Sequence, residues 1–285
     1  MNSTLNLTSG IGLKPAHFEQ ALESNDTGMW FEVHTENYFI DGGPRMQDLH
    51  KIRDRFPLSF HGVGASLGGL TLPDAGHLRR VRNLVDRFQP ELVSEHAVWS
   101  RLGREYFAEL LPLPRTREAL QQLIDGINCY QEAIGRSILI ENPTNYLSLK
   151  SEMDEADFMV EACQRTGCGM LLDVNNLYLS AHNCGIDAEA YIRALPTELV
   201  GEIHIAGYDQ DEKYGEQLFI DSHAAPVSNS VWQLLDTALE FLGPKPVLLE
   251  RDANIPAFEV LREERLQAHQ LVTENSHARI TSISR

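Results

Sequence analysis

The sequence predicts an α/β protein folded as a single (β/α)8 TIM-type barrel. Three observations carry that expectation. Short β-rich runs alternate with stretches whose apolar residues recur three or four apart. There are eight such runs. No glycine-rich nucleotide loop follows any of them, which favours closure into a barrel over an open doubly wound sheet. A chain of 285 residues suits one such barrel, because these domains usually take about 250.

The β-rich runs lie at residues 10–13, 30–34, 58–63, 92–98, 137–141, 170–174, 202–206 and 247–250. The first, Gly10-Ile11-Gly12-Leu13, is short and glycine-rich. Met46, Leu49, Ile52 and Phe56 form one helical stripe; Leu78, Val81, Leu84, Val85 and Phe88 form a second. Leu120, Leu123, Ile124, Ile127 and Ile134 make a third, and Leu235, Leu239 and Leu242 a fourth. Pro73-Asp74 and Ser228-Asn229 are helix openers. Strands alternating with helices imply parallel pairing through right-handed crossovers. Residues 102–117, with Pro112 and Pro114, are expected to be a long loop able to lie over the site as a lid. Residues 1–268 are expected to form the barrel domain. Residues 269–285, where the periodicity fades, are expected to be a helix end and a loose tail.

Composition narrows the function classes. The formal net charge of −17 repels phosphate backbones and anionic membranes, so neither nucleic acid nor a membrane is an expected partner. The basic run His77-Leu78-Arg79-Arg80-Val81-Arg82 is read as the solvated side of an amphipathic helix. The apolar runs fall far short of the roughly 20 residues that span a bilayer. Residues 1–9 are polar and lack a basic-then-apolar signal pattern, so a cytoplasmic location is expected. Cys129, Cys163, Cys168 and Cys184 form no CxxC pair and are read as free thiols in a reducing compartment. Metal-binding capacity therefore rests on the 11 histidines and 41 acidic residues.

Those residues gather at the ends of the predicted strands. The second run ends in His34-Thr35-Glu36-Asn37-Tyr38, the third in His61-Gly62-Val63 and the fourth in Ser94-Glu95-His96. The later ones end in Glu141-Asn142-Pro143, Asp173-Val174-Asn175-Asn176, His204-Ile205-Ala206-Gly207 and Glu250-Arg251-Asp252. In a barrel these ends converge on the one face where active sites form. Like charges gathered in one pocket repel unless a cation offsets them, so the pattern points to a metal site.

Imidazole plus carboxylate without thiolate suits iron, zinc or manganese. His61, His96 and Glu141 can form a facial two-histidine-one-carboxylate set. Glu141, Asp173, His204 and Glu250 can hold a second ion, with Glu141 bridging. Asp221-Ser222-His223, joined by Asn175, offers a third group. Glu36, Asn37, Asn142, Asn176, Arg251 and Asp252 are read as supporting or substrate-facing groups. His17, His50, His77, His269 and His277 are read as solvated surface.

The ordered motifs, from Gly10-Ile11-Gly12-Leu13 through Glu36-Asn37-Tyr38, Ser94-Glu95-His96 and Glu141-Asn142-Pro143 to Leu249-Glu250-Arg251-Asp252, resemble the MbnB/TglH/ChrH family of multinuclear non-haem iron-dependent oxidases. The resemblance extends over residues 10–264, nearly the whole chain. It implies a barrel holding two or three irons and, with dioxygen as co-substrate, oxidation of cysteine residues in a ribosomally made precursor peptide. It also implies a small partner protein that presents the peptide. Matched motif by motif, His61, His96 and Glu141 correspond to one iron's ligands. Asp173, His204 and Glu250, with Glu141 bridging, correspond to the second, and Asn175, Asp221 and His223 to the third. Glu36, Asn37, Arg251 and Asp252 are the expected catalytic neighbours. One departure stands out: many relatives have histidine after Ala206-Gly207, where this chain has Tyr208. Two other readings share the strand-end pattern. One is a divalent-metal hydrolase or isomerase of the xylose-isomerase and endonuclease-IV barrel type; the other is a non-catalytic carrier of metal or peptide.

Overall fold

The structure is a computed structural model that describes residues 7–102, 105–149 and 151–283. Residues 1–6 of the polar N-terminus and 284–285 of the expected tail lie outside the described residues. Eight parallel strands close into the barrel, in the order β1 (Ser9–Gly12), β12 (Val247–Leu249), β9 (Val200–Ile205), β8 (Gly169–Asp173), β7 (Leu139–Glu141), β4 (Leu92–His96), β3 (Leu58–Gly62) and β2 (Met29–His34). Each overlaps one of the eight predicted runs. The glycine-rich first strand pairs on both sides, with β12 and with β2, and so closes the barrel.

The helices packed outside are α1 (Phe18–Glu23), α2 (Pro44–Arg53), α3 (Ala75–Phe88), α4 (Arg117–Ile134), α5 (Glu155–Thr166), α6 (Val174–Cys184), α7 (Ala188–Ala194), α8 (Asn229–Leu242) and α9 (Phe258–Ile283). The two predicted openers behave as read. The Asp74 carboxylate accepts from the His77 backbone N–H at 2.8 Å, and the Ser228 hydroxyl from that of Val231 at 3.3 Å; such caps satisfy donors that the first turn leaves unpaired. Helix α4 is stopped by Gly135 at φ 74°, whose N–H reaches back to the Gln131 carbonyl in the left-handed closure that glycine favours. All four predicted stripes face inward, from Met46, Leu49 and Ile52 on α2 to Leu235, Leu239 and Leu242 on α8.

Three segments differ from the sequence reading. Residues 102–117 are not simply a loop: β5 (Val98–Leu102) and β6 (Glu105–Pro112) pair antiparallel as a hairpin after β4. A second small hairpin, β10 (Asp209–Asp211) with β11 (Gly215–Ile220), follows β9. Helix α9 continues to Ile283, well past the point where its apolar periodicity fades. Two histidines read as surface are buried instead. His17 bonds the Pro256 carbonyl at 2.9 Å, and His77 lies beneath Glu36. Arg79, Arg80 and Arg82 do occupy the outer face of α3.

Strand register positions the site. Across β2 and β3, His34 stands beside His61; across β4 and β7, His96 beside Glu141; across β8 and β9, Asp173 beside His204. Between these pairs the register slips by two residues. His61 is opposite Ser94, Glu141 opposite Leu171, and His204 opposite Leu248. That regular slip is the stagger by which a tilted eight-stranded sheet closes. It carries the polar strand ends around one rim of the barrel.

Candidate metal centre

His61, His96 and Glu141 come together first. The His96 Nδ1–H donates to the Gly62 carbonyl at 3.1 Å, which leaves Nε2 as the free lone pair. His61 Nδ1 is likewise engaged, with the Ser94 hydroxyl at 2.8 Å. Both Nε2 atoms therefore face the same Glu141 oxygen, Oε2, at 3.3 and 3.4 Å. No hydrogen bond forms there, and Oε2 is buried without a partner. Three donors at such spacing suit a common ion about 2.0–2.2 Å from each.

The next group shares Glu141 with Asp173 and His204, whose ligand atoms all lie within 4.8 Å of one another. Asp173 ends β8 and at once caps α6. Its Oδ1 accepts from the Asn176 N–H at 2.6 Å, while Oδ2 is left buried and unpartnered. The Asn142 side chain clamps the Asp173 backbone in both directions, at 2.9 and 3.0 Å. Asn176 donates to Glu141 Oε1 at 3.2 Å, so the two asparagines beside the strand ends support the carboxylates. Glu250 Oε2 closes the group, 3.4 Å from His204 Nδ1.

The third group lies at the mouth. His223, at φ 49°, sets Nε2 2.8 Å from Asp221 Oδ1, and Asn175 Nδ2 donates to that same oxygen at 2.8 Å. Asn175 Oδ1 is buried and unpartnered. Glu250 Oε2 lies 3.6 Å from His223 Nδ1, which joins this group to the second. Tyr208 does not enter it; its ring stacks on Phe219 at 4.6 Å and packs against Tyr178 at 5.6 Å.

The residues expected to act in catalysis are not all at the centre. Asp252 is: it accepts from His223 at 2.8 Å and from Lys14 at 2.5 Å. Glu36 lies to one side, where its Oε1 accepts the N–H groups of Val63 and Gly64 at 3.1 and 2.9 Å. Asn37 is exposed, and only its carbonyl is engaged, by Arg45. Arg251 is buried and turns to Glu264 on α9 at 3.0 Å. The strand-end reading assigns no role to Glu32, His34, Glu95 or Glu202. His34 lies 6.0 Å from the His61 ring centre. Glu95 holds the loop after β3 through the Ala65 N–H at 3.2 Å. Glu32 and Glu202 flank the far side of His204. The period of two, Glu32-x-His34 and Glu202-x-His204, is the signal that would have found two of them.

Electrostatics favour a cation. Burial, reinforced by Asp221 and Glu250, pushes Asp173 up to about 7. Burial pushes Glu141 well above the usual carboxylate range, with Asp173 and Glu250 adding to it. Burial holds His61 well below the ordinary imidazole value and His96 down at about 4, so both are neutral ligands at pH 7. Burial acts the same way on His204 and His223, but the carboxylates around them prevail and raise both. The pocket thus gathers more carboxylate than its own imidazoles offset, with lone pairs of Glu141, Asp173 and Asn175 that nothing among the described residues satisfies. The residues present fit a multinuclear divalent centre made of nitrogen and oxygen donors.

A closed parallel barrel with its polar cluster on the C-terminal rim defines a TIM barrel. D-psicose 3-epimerase from Clostridium cellulolyticum superposes with a TM-score of 0.62 at 9% identity, over 94% of this chain and 99% of that one. Endonuclease IV from Thermus thermophilus does so with a TM-score of 0.57 at 14% identity, over 94% and 99%. At such identities the likeness is one of fold. The chain belongs to the family of RiPP precursor modification enzymes MbnB/TglH/ChrH, whose model matches residues 8–273. A UPF0276 protein of Caulobacter sp. (strain K31) is 49% identical over 274 residues, covering 96% of this chain and 99% of that protein. Another, from Rhizobium meliloti (strain 1021), is 44% identical over 271 residues, covering 94% and 88%. The resemblance carried by the motifs is therefore one of membership.

Proposed function

We propose that this protein is a multinuclear non-haem iron oxidase that uses dioxygen to modify cysteine residues of a ribosomally made precursor peptide. The observation that carries the reading is Glu141, a fully buried carboxylate whose unpartnered Oε2 faces two neutral histidine nitrogens while the residue also belongs to the Asp173 and His204 group. In this reading His61, His96 and Glu141 hold one iron. Glu141, Asp173, His204 and Glu250 hold a second, and Asn175, Asp221 and His223 a third. Iron bound there supplies the redox chemistry and the reduction of dioxygen. The chain's own contribution is placement and exclusion of water. Asn142 and Asn176 fix the carboxylates, the Gly62 carbonyl fixes the His96 tautomer, Ser94 orients the His61 ring, and the β5–β6 hairpin flanks the mouth.

The surface around the mouth supports a peptide substrate. Apart from Val260 and Leu266 on α9, the exposed large apolar residues among the described ones lie on connections leaving the C-terminal ends of the strands. Ile40, Leu70, Leu72, Tyr106, Leu147 and Tyr214 are examples. Such a rim suits a chain of apolar side chains, or a small protein presenting one, more than a sugar. No helix among the described residues is long and apolar enough to cross a membrane. The four cysteines are free, which fits work in the reducing cytoplasm.

The test is elemental analysis of the purified protein, followed by oxygen uptake and peptide mass after incubation with a cysteine-bearing peptide encoded beside it. Iron, oxygen consumption and a changed peptide mass are the expected results. Zinc or manganese with no oxygen consumption would move the assignment to a hydrolase or isomerase. Stoichiometric binding with unchanged mass would make the protein a carrier.

A further inference from the structure

Each barrel strand that brings a side chain to the centre also points the residue two positions earlier into the barrel, one layer deeper. Below Glu141, Asp173 and Glu250 that residue is Leu139, Leu171 or Leu248, the branched filling usual in such barrels. Below His61 and His96 it is Ser59 or Ser94. Below His34 and His204 it is Glu32 or Glu202, only 2% and 0% exposed. A carboxylate in that layer is costly unless it is compensated. Ser59 donates to Glu32 Oε2 at 2.8 Å, but both oxygens of Glu202 lack a hydrogen-bond partner. What they share is the His204 ring. Its Nε2 lies 3.5 Å from Glu32 Oε2 and 3.6 Å from Glu202 Oε1, and its other nitrogen, Nδ1, lies 3.4 Å from Glu250 Oε2.

We infer that Glu32 and Glu202 are positioning residues for His204: they take the Nε2–H of its ring from below and so present Nδ1 to the cation pocket formed with Glu250, Glu141 and Asp173. The inference rests on the metal-centre reading and adds to it which nitrogen coordinates and what selects it. A small closing of the 3.5 and 3.6 Å separations brings either carboxylate to hydrogen-bonding length. Carboxylates that orient a ligating imidazole in this way also raise its basicity as a ligand. On three other strands the corresponding position is filled with leucine, which buries no carboxylate. The carboxylates are retained for the imidazole they hold.

The experiment compares wild type, Glu202→Leu, Glu202→Gln and Glu32→Gln, each stripped of metal and then titrated with Mn(II). For Glu202→Leu the metal-free protein is expected to melt no lower than wild type, because Glu32 remains beside the His204 Nε2–H and a buried carboxylate with no hydrogen-bond partner has been replaced by an apolar group. Its Mn(II) affinity is expected to fall about 10–100-fold. Each glutamine variant retains a carbonyl that can accept the Nε2–H and is expected to keep most of the affinity. Stability and affinity moving in opposite directions is a signature that a merely structural role does not produce. Undiminished Mn(II) affinity in Glu202→Leu overturns the inference, as does a crystal structure of the Mn(II) complex with Nε2 coordinated. If wild type binds Mn(II) and Asp173→Asn does not, the metal-centre reading stands whatever Glu202→Leu shows. A wild-type protein that takes up no Mn(II) overturns both.

Discussion

Cation loading should raise the melting temperature in steps that count the ions, and removing Glu141 should erase two steps at once. An ion present at about 100 times its dissociation constant stabilises the native state by about 2.7 kcal/mol. For a chain of 285 residues the unfolding entropy is about 0.6 kcal/mol per kelvin, so one ion raises Tm by about 4–5 °C and two raise it by about 9 °C. Because Glu141 faces His61 and His96 and also belongs with Asp173 and His204, Glu141→Ala should lose both increments. His96→Ala touches one group only and should lose one. The assay is scanning calorimetry of metal-free protein with and without Mn(II) or Fe(II), with circular dichroism confirming that each variant folds. The cluster residues are buried at the rim of the barrel interior but lie outside its apolar core, so the metal-free variants should melt close to metal-free wild type. A full shift in Glu141→Ala would refute the bridging geometry, and no shift in wild type would refute the centre.

Metal uptake should release protons. Burial pushes Asp173 up to about 7 and Glu141 well above the usual carboxylate range, and the carboxylates around His204 and His223 favour their protonated forms. An ion needs all four deprotonated, so affinity should rise with pH between about 6 and 8. Calorimetric titrations in buffers of different ionisation enthalpy measure the release; zero net release near neutral pH would contradict the burial argument. Asp173→Asn keeps a good helix cap and loses a ligand, whereas Asp173→Ala loses both. In metal-free protein the alanine variant should be less stable than the asparagine variant by about 1 kcal/mol in chemical denaturation. A Cβ added at Gly207 would lie within van der Waals overlap of the Ala225 backbone. Gly207→Ala should therefore cost about 1–3 kcal/mol and disturb the segment that carries Asp221 and His223. Leu70→Asp and Leu147→Asp, at the apolar rim, should raise KM for peptide and leave metal content unchanged. Unchanged KM would place the peptide elsewhere.

The barrel is legible in the sequence because alternation is a local signal. Residues 170–174 read as a strand from their apolar run, and Asp74 and Ser228 as caps from their place before a stripe. Most of the gathered cluster is legible for the same reason, since a closed barrel turns eight separate strand ends into one rim. What escapes depends on contacts that sequence spacing does not encode. The pairing of residues 98–102 with 105–112 lies in a stretch whose two prolines read as loop. His77 sits among arginines that do face solvent, yet one helical step turns it inward beneath Glu36. Glu32 and Glu202 escape a reading that stops at the last polar residue of each strand, because the pleat repeats the inward direction one layer down. Arg251 reads as substrate-facing from its place after Glu250, but the next residue along a strand points the other way, and it meets Glu264 on α9.

Closure of the barrel between β1 and β12 joins the two ends of the fold, and the cluster draws on strands from β3 to β12. Glu250 thus arrives only after every other strand of the barrel has been made. The groups that include Glu250 cannot hold an ion until the final strand docks, whereas the His61, His96 and Glu141 group needs only β3, β4 and β7. The ions that Glu250 helps to hold must therefore reach a finished barrel through its mouth.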